Sequence, residues 1–97
     1  MIEPSVLIVD DEVAFVDSLS RRLDKRGVKV SAAYSGQEAV DHLTSGGATN
    51  TDVVILDVKM PGMDGLETLM VIKKRHPLVE VIMLTGHGTV ESAIEGM

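Results

Sequence analysis

Val53-Val54-Ile55-Leu56-Asp57, residues 53–57, is an unbroken aliphatic run closed by an acid, and the Pro- and Gly-rich stretch Lys59–Gly65 follows it. A short apolar run bounded by turn residues reads as a strand covered on both faces. Val6-Leu7-Ile8-Val9 repeats the pattern and is closed by two acids, Asp10 and Asp11. Val81-Ile82-Met83-Leu84 repeats it again and runs into Thr85-Gly86. Helical periodicity fills the intervals. Glu12–Arg26 carries Val16, Leu19 and Leu23 at helical spacing, with Gly27 placed as a C-cap. Gly36–Ser45 carries Ala39, Val40 and Leu43 on one face. Leu66–His76 has Asp64 as N-cap and Pro77 as its stop. Thr89–Met97 begins a fourth helix. Gly46–Thr51 reads as a polar loop.

Strands alternating with helices imply βαβ units, right-handed crossovers and a parallel sheet, hence a three-layer, doubly wound α/β fold. Val28–Ala33 reads as a further strand, and its Val28-Lys29-Val30-Ser31 alternates apolar and polar residues, which suits a sheet edge. The other three strands look internal, which gives the order 2-1-3-4. A sheet needs two edges, and the simplest inference is a further strand–helix unit after Met97. Without that unit, Val81–Leu84 is an open apolar edge able to pair with a second copy.

Composition narrows the function. A chain of 97 residues makes one domain, burying roughly 60–65% of its unfolded surface. Net charge is −6, which argues against direct contact with nucleic acid or anionic membrane. One Phe, one Tyr and no Trp provide no stacking platform for bases. The absence of Cys suits a reducing compartment, and no 20-residue apolar run or signal-peptide pattern is present. The expectation is a cytoplasmic protein.

In open parallel sheets, ligands bind outside the carboxyl ends of the strands, where strand order reverses. With the first strand between the second and third, Asp10, Asp11 and Asp57 converge at that point. Clustered acids either retain protons or bind a divalent cation. Magnesium takes about six oxygens and keeps several waters. A carboxylate can also accept a phosphoryl group as an acyl phosphate. Asp57, single and followed by a Gly/Pro loop, is the better acceptor. Asp10 and Asp11, adjacent at a strand-to-helix turn, are the better metal holders, although either could be a helix cap. Thr85 can offer its hydroxyl to phosphoryl oxygens.

These residues resemble the receiver domain of bacterial two-component response regulators, over the whole chain, residues 1–97. The resemblance is carried by Val6–Asp10 with Asp11-Glu12, by Asp57-Val58-Lys59-Met60-Pro61-Gly62-Met63-Asp64-Gly65-Leu66-Glu67, and by Leu84-Thr85-Gly86. It implies a flavodoxin-like fold and a phosphorylation-dependent switch: Asp57 is phosphorylated by a sensor histidine kinase and an output domain responds. It implies that Asp10, Asp11, Asp57 and the Lys59 backbone carbonyl hold Mg2+, Asp10 through water, and that Thr85 is the switch hydroxyl. Lys59 and His87 match positions where family members vary and tune dephosphorylation. Leu84-Thr85-Gly86-His87-Gly88 is similar to receivers attached to AAA+ transcription activators working with sigma-54 polymerase. Such receivers carry a Lys and an aromatic switch partner on a fifth strand, and neither lies within residues 1–97. Lys73 and Lys74, on the third helix, are not substitutes. The expectation is therefore that the parent protein is phosphorylated, while residues 1–97 alone bind metal but accept phosphate slowly or not at all; the resemblance further implies no turnover of external substrates. Two alternatives remain: a metal-dependent phosphatase of the haloacid-dehalogenase kind, and a dimerising interaction module.

Overall fold

A computed structural model of the chain describes residues 4–59, 62 and 64–84. Along the chain, β1 (Ser5–Val9) is followed by α1 (Val13–Asp24), β2 (Lys29–Ala33), α2 (Gly36–Thr44), a 3-10 turn (Gly47–Asn50), β3 (Val53–Asp57), α3 (Gly65–Arg75) and β4 (Glu80–Leu84). All strand pairs are parallel, in the order β2-β1-β3-β4. This is the doubly wound arrangement expected, with β2 at an edge. The helix expected over Thr89–Met97 lies outside the described residues.

Period-2 alternation in β1 divides the core between the two faces of the sheet. Leu7 and Val9 point to one face, where Ala33, Ala39, Leu43, Val54, Leu56, Ile72 and Val79 join them in a buried cluster. Val6 and Ile8 point to the other and meet Val16 of α1. Leu7, Ile8, Leu43, Leu56 and Ile72 are among the largest fully buried side chains. Each contributes about 1.5–3 kcal/mol by leaving water. Against that, β4 departs from its expected burial, because Ile82 is 52% exposed. Its strand neighbours Val81 and Met83 pack toward α2 and α3, whereas α1 packs on β1 and β2. Among the described residues no helix covers Ile82.

The helix ends follow local chemistry. Asp64 caps α3, its Oδ1 accepting the Glu67 N–H at 2.8 Å. Ser35 caps α2 by accepting the Glu38 N–H at 3.1 Å. By contrast, α1 stops at Asp24, before the expected Arg26. The Arg26 N–H turns to the Leu23 carbonyl (2.9 Å) and the Gly27 N–H to that of Asp24 (3.0 Å). This tighter i→i−3 pattern unwinds the last turn, and Gly27 then takes φ 80°. The expected loop at residues 46–51 contains the 3-10 turn. Met70 is 72% exposed on α3.

Candidate functional site

Asp57 is the last residue of β3, and Asp10 follows the last residue of β1. The register pairs Val9 with Leu56, so the next position along each strand brings Asp10 and Asp57 to the same rim. The Asp10 N–H continues the ladder to the Ala33 carbonyl at 3.1 Å, which fixes its backbone on the β2 side. One carboxylate oxygen from each of Asp10, Asp11 and Asp57 lies within 4.8 Å of the others. Asp10 and Asp57 are buried, at 1% and 2% exposure, while Asp11 faces solvent. The convergence expected from the sequence is therefore present in the fold.

Backbone donors hold the buried pair. Asp10 Oδ1 accepts the Glu12 N–H at 2.9 Å, and Asp57 Oδ1 accepts the Lys59 N–H at 3.2 Å. Asp10 thus shapes the entrance to α1 without being its N-cap. That position is Glu12, whose side chain makes no capping bond. The Val58 N–H donates to the Leu84 carbonyl at 2.9 Å, and the Gly65 N–H to the Val58 carbonyl at 3.1 Å. One residue beyond Asp57, the backbone is therefore tied to the end of β4 and the start of α3.

The donor set is all oxygen, two of its carboxylates are withdrawn from water, and three like charges face one another. Hard divalent cations select such sites, and a cation there offsets the repulsion. Thr85 and His87 lie outside the described residues, as do Met60, Pro61 and Met63. Lys59 is exposed beside the site. Lys73 lies at the far end of α3, its Nζ donating to the Val79 carbonyl at 3.0 Å. One residue that sequence reasoning left without a role is Gly65, buried where α3 meets β3. Its signal was its place in the Asp64-Gly65 pair just before a helix. No helix among the described residues is long and apolar enough to cross a membrane.

Comparison with known proteins agrees with the geometry. A family profile described as the response regulator receiver domain matches residues 6–97. The DNA-binding transcriptional regulator NtrC of Klebsiella pneumoniae is 40% identical over 87 residues, covering 90% of this chain and 18% of that protein. The chain spans about a fifth of the length of the curated relatives it matches. Among solved structures, a response regulator receiver domain protein from Clostridium thermocellum superposes with a TM-score of 0.81 at 37% identity, covering 97% of this chain and 74% of that one. The beryllofluoride-activated NtrC receiver domain superposes with a TM-score of 0.73 at 35% identity, covering 98% and 74%. The likeness is to receivers, and the haloacid-dehalogenase reading is set aside.

Proposed function

The chain belongs to the response regulator receiver family, and on that premise we propose that Asp57 accepts a phosphoryl group from a histidine kinase, with Mg2+ held by Asp10, Asp11, Asp57 and the Lys59 carbonyl. The observation that carries this reading is the convergence of three carboxylates within 4.8 Å at the carboxyl ends of β1 and β3. As a receiver, the chain is not a turnover enzyme on external substrates.

The likeness to receivers supports a place for Asp10 through a bridging water. When bound, the ion neutralises charge on the transferring phosphoryl oxygens. An Asp57 oxygen attacks phosphorus; the P–O bond forms as the P–N bond to the kinase histidine breaks. That nitrogen leaves with the electron pair and takes up a proton. The Lys59 N–H holds Oδ1 of Asp57 and so orients the carboxylate for attack. Thr85 is the switch hydroxyl of this reading, and Lys59 and His87 tune loss of the phosphoryl group.

The likeness to NtrC supports a transcriptional output domain as the partner within the parent protein, and a cytoplasmic location. Incubation of the full-length protein with Mg2+ and a small acyl phosphate donor should yield an acid-stable, hydroxylamine-labile label. Asp57→Asn should abolish it; label that survives this change refutes the assignment.

A further inference from the structure

Gly65 opens α3, and its line of buried residues, Gly65, Thr68 and Ile72, faces the sheet. A Cβ at Gly65 would fall against the Asp57 carbonyl oxygen, and 2.5 Å and 2.9 Å from the Cα and carbonyl oxygen of Val58. All three are backbone atoms, so no rotamer change can make room. The helix start could not retreat freely either. Its N–H is bonded to the Val58 carbonyl, the Asp64 cap holds its first turn, and the Thr68 hydroxyl donates to the Asp64 carbonyl at 2.8 Å. Any side chain at residue 65 would therefore push on the peptide that carries Asp57.

We infer that Gly65 is a positioning residue for the cation site: its missing side chain sets the place of the Asp57 backbone, and so the spacing of Asp57 from Asp10 and Asp11. This inference rests on the metal reading given above. Its consequence is selectivity. Magnesium demands near-ideal octahedral geometry at 2.0–2.1 Å, whereas calcium accepts irregular shells at 2.3–2.6 Å. Displacing one carboxylate by a few tenths of an ångström, about the difference between those bond lengths, penalises Mg2+ far more than Ca2+.

The test is a pair of titrations, Mg2+ and Ca2+, followed through the amide resonances of residues 57–59 in the full chain. Gly65→Ala is compared with Gly47→Ala. The latter is equally crowded, its Cβ falling 2.5 Å from the His42 carbonyl oxygen, but it lies before the start of β3, at the opposite end of the strands from the acids. Gly65→Ala should lower Mg2+ affinity about tenfold or more, the usual effect of losing support behind a metal ligand. Its Ca2+ affinity should change by less than about threefold, given the looser shell of that ion. Gly47→Ala should leave the ratio of the two affinities as in the parent. Equal losses for both cations in Gly65→Ala, no loss of either, or a matching change in Gly47→Ala would overturn the inference. Measurements are repeated in trimethylamine N-oxide, which favours the folded state. A Gly65→Ala chain that stays unfolded even then also overturns it, because the crowding would be a requirement of the whole domain. A parent chain without a Mg2+-dependent shift would instead sink the metal reading itself.

Discussion

Replacing Asp57 with Asn should make the metal-free protein more stable, although it removes the proposed phosphoacceptor. The side chains are isosteric, and Asn Oδ1 can still accept the Lys59 N–H now bonded at 3.2 Å. What disappears is a like charge within 4.8 Å of Asp10, with both groups shielded from water. At an effective dielectric of about 20, two unit charges at that distance repel by about 3 kcal/mol. Exchanging a charge-assisted hydrogen bond for a neutral one gives back about 1 kcal/mol. The solvent-exposed Asp11 adds little. The net gain is about 2 kcal/mol, or about 10 °C in Tm for a domain this size. Thermal unfolding by far-UV circular dichroism in EDTA measures it directly. Adding Mg2+ at ten times its dissociation constant should then stabilise the parent by about 1.4 kcal/mol and the variant much less, so the gap between them narrows. A variant that melts at or below the parent in EDTA would refute the claim that repulsion dominates this site.

Two further outcomes bear on the same structure. Ile72→Ala, at a fully buried position shared by α3 and the larger core cluster, should cost about 2–5 kcal/mol, read as a lower urea midpoint at unchanged m-value. Lys59→Ala should leave Mg2+ affinity unaltered while Asp11→Asn weakens it, since residue 59 is proposed to act through its backbone carbonyl; a titration in which both lose affinity alike would contradict that division.

The architecture was legible because the strand ends carry their own markers. Acids closed β1 and β3, Asp64 announced α3, and the alternation of Val28-Lys29-Val30-Ser31 placed β2 at an edge. Those features follow from burial and capping, which act over a few residues. What escaped the sequence depended on contacts between distant parts. The exposure of Ile82 reflects where α1 lies across the sheet, and no periodicity within β4 encodes that. The early end of α1 came from competition between i→i−3 and i→i−4 bonds near Gly27, which a C-cap rule cannot place to the residue. At the site, the meeting of Asp10, Asp11 and Asp57 followed from strand order alone. The role of Gly65 did not, because it lies in the closeness of α3 to the β3 backbone.

The central place of β1 has a consequence for how the protein is made. β1 leaves the ribosome before β2 and β3, yet it pairs with β2 on one side and with β3 on the other. A nascent chain can assemble β1, α1 and β2 as soon as they emerge, but the flank of β1 that receives β3 stays unpaired while α2 and the 3-10 turn are still being synthesised. Throughout that interval the apolar edge of Val6–Val9 lacks its neighbour, and Asp10 and Asp11 stand without Asp57. A cation held by all three acids could bind only after β3 has emerged, so it could not serve as a template for the first half of the fold.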